Sequence, residues 1–511
     1  MDALLTQLPS ELKAQVQLVL AERDRLQSEN QLLRQAIRLL QLEKYGKRSE
    51  KLSDQQLNLL DQEPSVTAAE VQAEAERPPL PPATPRTKRP PNQGHPGRAA
   101  LPAHLERREV VIGCPDAQKC CPHCGEERSV IGYEVSEELD MDPVHYFVRV
   151  IKREKRASHC LPEEGVATAP CPLKIIPKSK LSNEIIIDLV VRKYDEHTPV
   201  YRQCLAIERD AGVELSRQTL IDSIMAVGQL LGPVVGVLVK DLIAGGYIQA
   251  DETPMPCQSE RTQGKNHQAY MWEFSRPYGP VVFDFRMGRG REGPKQFLQG
   301  FQGMLQCDGY GAYNDLGPGI TYAGCWSHAR RPFHKAHLLV PQDPVPLEIL
   351  ERIKGLYQVE EQARTQRLSA QQRLALRQEF SAPVLAALKP SISAIGQSAT
   401  PASQLAKACN YALGQWSRLE EFLKDGRIEI DNNWCENGMR KMAIGRRNWL
   451  HIGSEQAGPK VAAIASIIET CYRMQINVRD YLRDVLPKLP DWPITKVAQL
   501  SPLTWKPASQ S

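Results

Sequence analysis

Three acids in this chain stand where chemistry is possible. Asp251 ends the apolar run in YIQADET, and Asp308 ends the run in MLQCDGYGAY. Glu436 lies in a helix-like block from Asp425 to Gly458, with Arg440 one turn later and Lys441 beside it. A basic, strand-like stretch follows: Gly445, Arg446, Arg447, Asn448 and Trp449. Hard divalent cations need oxygen ligands, and Mg²⁺ leaves positions open for phosphate oxygens. Two such ions about 3.5–4 Å apart activate a water or a 3′-hydroxyl and stabilise the leaving oxygen. Three separated carboxylates among cations therefore predict phosphoryl chemistry on DNA with two Mg²⁺ or Mn²⁺ ions. Any one Asp alone is more simply a turn or a cap. Glu429 and Asp431 compete with Glu436 for third place. Asp431, before Asn432 and Asn433, reads as an N-cap, Glu429 as extended chain, and Glu252 as an outward neighbour of Asp251.

The elements that must position these acids are legible as alternating patterns. Strands are expected at Tyr247–Ala250, Ala269–Phe274, Val281–Phe285, Gly303–Cys307 and Thr321–Cys325, with a helix at Lys295–Phe301. Three strands, a helix and a fourth strand are the connectivity of a ribonuclease-H-like sheet, in which the first and fourth strands are neighbours and Asp251 meets Asp308. The fold class expected is multi-domain α/β with such a core at 243–338, a polar helical stretch at 339–424, the Glu436 block at 425–475, and a C-terminal helix and tail at 476–511.

Upstream, residues 1–60 carry a heptad. Val19, Leu26, Leu33 and Leu40 recur every seven residues, and Val16, Asn30 and Ile37 fill the other seam position. Leu at one seam position and a single Asn at the other favour a parallel two-stranded coiled coil, hence at least a dimer. The plainer alternative is an amphipathic helix packed on its own domain. Residues 61–104 are Pro-rich and basic in their second half, a linker that cannot bury a core. Residues 105–175 form a small Cys-bearing module. Residues 176–242 turn helical: Gly212 closes one helical pattern, Ser216 caps the next, and Leu220, Ile221, Ile224 and Val227 continue it. This is a helix-turn-helix pattern in which Arg217 and Gln218 suit base or phosphate contact. An ordinary helical hairpin shows the same signals.

Lys and Arg number 64 against 60 Asp and Glu, so any hold on nucleic acid must come from local patches. His328, Arg330, Arg331 and Lys335 are expected to form one, extended by Arg446, Arg447 and Trp449. The Trp449 ring can stack on an unpaired base, or simply pack in the core. Cys325 and His328, with His334 near, are a weaker metal motif. The thirteen Cys do not form a disulfide framework, no signal pattern opens the chain, and the apolar run Leu230–Val239 is too short for a bilayer. A cytoplasmic protein with no membrane partner is expected.

The segments DET, CDGYGAYN, CWSHARRPF and DNN-x-x-E-N-x-x-R-K-x-A-I-G-R-R-N-W resemble the insertion sequence 66 family of bacterial transposases. The likeness extends to YGKRSEKLS, CPHCG, KYDEHTPVYRQ and YLRDVL. It implies a DDE transposase in which Asp251, Asp308 and Glu436 bind the metal, and in which 339–424 is a helical insertion between a first part of the core at 243–338 and a second part at 425–475. It further implies that element ends are cleaved by water and that the freed 3′-hydroxyl attacks target double-stranded DNA, with accessory proteins from the same element as further partners. An inactive end-binding repressor is the competing expectation. The family's zinc module appears here as Cys121 and Cys124, then Cys160, with its last Cys missing. Glu163, His159 or Cys171 are left as fourth ligand, and Cys120 or His123 as substitutes in the first half, for a structural Zn²⁺. Where the family has Glu-Arg this chain has Glu436-Asn437, and Gly438 follows inside the helix at a cost of about 1 kcal/mol relative to Ala.

Overall fold

The computed structural model describes residues 10–45, 146–149, 151, 155–157, 166–168, 172–259 and 266–507. Cys121, Cys124, Cys160 and Glu163, with the alternative ligands named beside them, lie outside the described residues, as does the linker. The chain divides into two compact units, 1–62 with 150–511, and 63–149. Every described helix and strand belongs to the first unit.

A single helix, α1 (Ser10–Tyr45), opens it. Its seam residues Val19, Leu26, Leu33, Ile37 and Leu40 are all exposed. A short antiparallel pair, β1 (Lys155–Ala157) and β2 (Val166–Thr168), precedes three helices. In α2 (Asn183–Tyr194) the Ser182 side chain accepts from the Ile185 N–H and caps the N-terminus. In α3 (Val200–Ala211) Gly212 caps the C-terminus with φ 65°, a left-handed conformation that suits glycine. Ser216 then caps α4 (Arg217–Ala244). The helix, turn and capped helix are as expected.

The fourth helix is longer than its apolar run suggests, because it continues through Pro233. By length and composition it could cross a membrane. Here its stripe of Leu220, Ile224, Val227, Leu231, Val234, Leu238 and Leu242 is buried in the protein.

Five strands form the central sheet: β3 (Tyr247–Cys257), β4 (His267–Ser275), β5 (Val281–Arg286), β6 (Gly303–Gln306) and β7 (Ile320–Ala323), in the order β5-β4-β3-β6-β7. The first three are antiparallel. β6 and β7 run parallel to β3. A short helix, α5 (Glu292–Phe297), makes the crossover. β3 outruns the expectation by seven residues, through Pro254 and Pro256. Beyond Gln249 β6 no longer pairs with it; β4 continues on one side, and on the other Ile452 makes an isolated bridge at Cys257, donating to the Pro256 carbonyl, which proline can still offer.

After β7 come α6 (Trp326–Leu339), α7 (Val345–Thr365), α8 (Ala370–Leu376), α9 (Ala382–Ser398) and α10 (Gln404–Gly414). A π-helical turn at Arg377–Ser381 joins α8 to α9. These helices pack Phe333, Ile353, Leu356, Leu388 and Ile392 into an apolar core with Trp416, which follows α10, and with Tyr247 of β3 and Ala323 of β7. At its edge, Arg377 is fully buried. Its guanidinium donates to Glu360 Oε1 at 2.7 Å, to the Phe422 carbonyl at 2.7 Å and to the Ile428 carbonyl at 2.8 Å.

The chain then returns to the sheet in α11 (Asn433–Trp449), α12 (Ala457–Arg473) and α13 (Val478–Val485). α12 lies along the edge strand β5. There the Val281 N–H donates to Thr470 Oγ1 at 3.1 Å and the Phe283 N–H to Ser466 Oγ at 2.8 Å. An edge satisfied in this way is closed to further strand pairing.

Candidate metal centre

β3 and β6 run side by side with Gln249 opposite Gln306. Residues two apart in a strand share a face. Asp251 and Asp308, each two positions beyond its glutamine, therefore leave the neighbouring strands at one level and on one face. The glutamines do a second job. Gln249 Nε2 donates to Gln306 Oε1 at 2.8 Å and to the Asp431 carbonyl at 2.9 Å. Gln306 Nε2 donates to the Glu429 carbonyl at 2.7 Å. The Tyr247 hydroxyl donates to Gln306 Oε1 at 2.6 Å and accepts from the Glu429 N–H at 3.0 Å. The segment leading into α11 is thus docked on the same sheet face, and Glu436, in the first turn of α11, comes to the two aspartates.

The competing acids are engaged elsewhere. Glu429 accepts from Arg373 Nη1 at 2.8 Å and from Nη2 at 2.6 Å. Asp431 accepts from the Asn433 N–H at 3.2 Å and from Asn433 Nδ2 at 2.9 Å, which fixes the start of α11. Glu252 is a correction: its side chain is 1% exposed and faces inward on the opposite side of β3, held by Arg289 at 2.5 Å and by the Tyr313 hydroxyl at 2.6 Å.

Burial pushes Asp251 up to about 8, helped by the charges of Glu252, Glu436 and Asp308. Asp251 Oδ1 accepts the Glu252 N–H at 2.9 Å, and Asp308 Oδ1 accepts the Tyr310 N–H at 2.9 Å. Glu436 Oε1 is buried with no hydrogen-bond partner among the described residues. Three carboxylates with unused acceptor capacity, one of them energetically poor without a cation, fit a hard divalent ion.

A fourth carboxylate was missed by reading the sequence. Glu273 pairs in register with Asp251 across β3 and β4 and is fully buried. Burial pushes it up to about 8, against the lowering effect of Arg473. Arg473 Nη2 sits 3.4 Å from Glu273 Oε1 and donates to the Trp434 carbonyl at 2.9 Å, tying α12 to α11. Directly above lies Gly438, where a Cβ would stand 2.4 Å from Glu273 Oε2. The mid-helix glycine therefore has a structural reason that its propensity cost hides: it lets α11 settle onto β4. The only sequence signal for Glu273 is a lone acid inside an apolar strand.

The cations divide. Arg446 and Trp449 do not lie in a strand; the helix runs unbroken from Asn433 to Trp449, because Asn448 and Trp449 complete a last turn that the Gly445 signal obscured. Lys441 turns inward, 3.3 Å from Glu469 and 3.6 Å from the Tyr472 ring centroid, and is corrected from a DNA contact to an internal ion pair. Arg446 is spent on β3, where it donates to Thr253 Oγ1 at 3.0 Å and to the Pro254 carbonyl. Trp449 packs edge-on against Tyr194, 6.2 Å between centroids, which is the packing alternative. Arg440 and Arg447 are exposed.

The patch on α6 is likewise not one surface. Arg330 and His334 line a cavity of about 570 Å³ between α6 and α7, together with Ser327, His337 and Lys354. His328 faces the other way, its Nδ1 3.6 Å from Glu436 Oε1. Burial, with Arg331 nearby, lowers its basicity and Glu436 opposes this. Lys335 is half-buried. At the upstream end of α4, Arg217 stacks over Tyr201 at 5.9 Å, and Gln218 donates to Asp222 at 2.7 Å.

Comparison with known proteins places the chain in a family. Residues 178–460 match the Transposase IS66 family. Residues 32–110 match Transposase C of IS166 homeodomain, 118–160 the zinc-finger binding domain of transposase IS66, and 466–503 the IS66 C-terminal element. The uncharacterized protein y4qI of Sinorhizobium fredii is 32% identical over 493 residues, covering 92% of this chain and 88% of its own. Protein y4hP of the same organism, also uncharacterized, is 30% identical over 504 residues, covering 93% and 88%. The chain belongs to the IS66 family of transposases.

Proposed function

We propose that this protein is the DNA transposase of an insertion element, and that Asp251, Asp308 and Glu436 hold two Mg²⁺ or Mn²⁺ ions at its catalytic centre. The observation that carries the reading is the Gln249–Gln306 register, which sets the two aspartates on one sheet face and docks the Glu436 helix over them. The strand order, third-second-first-fourth-fifth with the last two parallel to the first, supports a ribonuclease-H-like core. When bound, the ions would polarise the scissile phosphate and lower the pKa of the attacking hydroxyl. The protein's own groups orient that chemistry. Gln249, Gln306 and Tyr247 fix the height of Glu436, and Glu273 and Arg473 fix the tilt of α11.

DNA is the partner class: element ends and target. Arg440 and Arg447 face solvent from the Glu436 helix, and Arg217 opens α4; these are the cations placed to meet phosphates. The exposed seam of α1 supports dimerisation through a coiled coil, which brings two ends to one reaction. Residues 118–160 match a zinc-finger domain, so Cys121, Cys124 and Cys160 are the thiolates to hold a structural Zn²⁺.

The test is strand joining from a pre-nicked element end in Mg²⁺ or Mn²⁺, wild type beside Glu436→Gln. Metal-dependent joined product that disappears in the variant, with end binding kept, is expected. Joining undiminished in Glu436→Gln would reject the third ligand. End binding without cleavage or joining, even with the element's accessory proteins added, would reject the enzyme in favour of a repressor.

A further inference from the structure

Beside the carboxylate centre lies a second set of donors of different chemistry. Cys325 is the residue before α6, and His328 follows three positions later, on the same side of the helix start. A Cys325 Sγ, a His328 ring nitrogen and a Glu436 carboxylate oxygen all lie within 4.8 Å of one another. The His328 Nδ1 to Glu436 Oε1 separation is 3.6 Å, close to the roughly 3.4 Å between two ligands placed about 2.1 Å from one tetrahedral ion. Neither of those atoms has a hydrogen-bond partner among the described residues, although both are buried. Their side chains are 19% and 23% exposed, which leaves an entry path. Cys325 is buried, and its sulfur accepts the Asn432 N–H at 3.5 Å. Sulfur, imidazole and one carboxylate with a fourth position open make a poor magnesium site and a good zinc site.

We infer that Cys325, His328 and Glu436 form a site for a thiophilic divalent cation of the zinc class, and that filling it withdraws Glu436 from the carboxylate centre and reversibly silences the enzyme. On binding, the Cys325 S–H bond breaks, its proton leaves to solvent, and a sulfur–metal bond forms. The binding stands on its own; the silencing rests on the reading of Asp251, Asp308 and Glu436 as catalytic.

The test uses full-length protein and Co²⁺ as the probe, comparing wild type, Cys325→Ser and Cys124→Ser. The expected result is a thiolate-to-cobalt absorption with tetrahedral visible bands that survives in Cys124→Ser and falls by one equivalent in Cys325→Ser. In strand joining at fixed Mg²⁺, Cys325→Ser should need at least about 10-fold more Zn²⁺ for half inhibition than wild type, since losing even an outer-shell partner costs that much. Identical cobalt spectra and stoichiometry in wild type and Cys325→Ser would overturn the site. Loss of the cobalt equivalent with no change in zinc sensitivity would overturn the silencing. Cobalt binding as expected in a protein that joins no DNA under any condition would overturn the transposase reading and leave the site standing. Should Cys325→Ser fail to fold, His328→Ala, altered at a partly exposed side chain, carries the same comparison.

Discussion

Gly438→Ala is the sharpest probe of how the centre is assembled, because helix propensity and packing oppose each other there. Alanine in a helix interior gains about 1 kcal/mol over glycine. Its Cβ, however, would lie 2.4 Å from Glu273 Oε2, 2.7 Å from Oε1 and 2.8 Å from Cδ. Ordinary contact is about 3.5 Å, so a gap of about 1 Å must open. Glu273 cannot supply it: the side chain is fully buried, its strand is paired on both sides, and Arg473 bears on its carboxyl. The helix must lift instead, and Glu436 sits only half a turn before the glycine. Overpacking of this kind costs about 1–3 kcal/mol, so the net loss of stability is about 0–2 kcal/mol after the propensity gain. A displacement of about 1 Å in a reacting geometry costs roughly 100-fold in rate. The expected variant is thus folded, nearly as stable as wild type, and about 100-fold slower in strand joining. Removing the obstacle, in Gly438→Ala with Glu273→Ala, should recover part of that rate while melting lower than either parent. Thermal denaturation and a joining time course measure both quantities. A Gly438→Ala single variant joining within a few fold of wild type would refute the claim that this close approach sets the position of Glu436.

Three further outcomes are expected. Arg377→Ala should destabilise the protein by about 1–3 kcal/mol in denaturant unfolding, because the buried Glu360 Oε1 and the Phe422 and Ile428 carbonyls lose their donor while Arg373 still holds Glu360 Oε2; an unchanged denaturation midpoint would contradict this. Glu273 and Asp251 are both pushed up to about 8, so between the ordinary carboxylate range and that value the native state keeps protons that the unfolded chain has lost. Stability in magnesium-free buffer should therefore fall as pH rises through that window, by at most about 1.4 kcal/mol per unit per group, and Glu273→Gln should flatten the slope; a denaturation midpoint that rises with pH would refute it. Leu26→Lys with Leu33→Lys on the exposed seam of α1 should convert dimer to monomer in sedimentation, each buried Leu contributing about 1.5–3 kcal/mol, and an unchanged sedimentation coefficient would reject the coiled coil.

Much of the candidate centre is legible in the sequence because its signals are local. An apolar run ending in an acid marked Asp251 and Asp308, and the helical setting of Glu436 beside Arg440 marked the third acid. Gly212 and Ser216 announced a turn and a cap, and both act as such. What failed depended on tertiary contact. Lys441 reads as a free cation until Glu469 and Asp195 arrive from other elements. Glu252 reads as solvated until Arg289 and Tyr313 close over it. Glycine normally weakens a helix, so Gly438 reads as damage until the Glu273 carboxyl beneath it is seen. Gly445 and Trp449 suggested a break and a strand, yet a Cβ at Gly445 would meet the Trp449 ring at 2.7 Å, so the glycine serves the last turn of one continuous helix.

One pattern was present twice in the sequence and carries more than either copy suggests alone. YIQAD and MLQCD both place a glutamine two residues before the acid. A polar side chain in a buried strand is costly unless bonded, so two of them at matched positions imply partners in common. The partners are each other and the main chain at Glu429 and Asp431. Glu429 is also where the helical insertion takes hold, through Arg373, while Arg377 grips the chain one residue earlier at Ile428. The segment that delivers Glu436 is therefore held from both sides, by the sheet through its glutamines and by the insertion through its arginines. A long helical stretch before Glu436 would otherwise leave that carboxylate at the end of a loose tether. Here the insertion ends in a buried ionic clamp against the chain it releases, so loosening the clamp should misplace Glu436 while Asp251 and Asp308, anchored in the sheet, stay where they are.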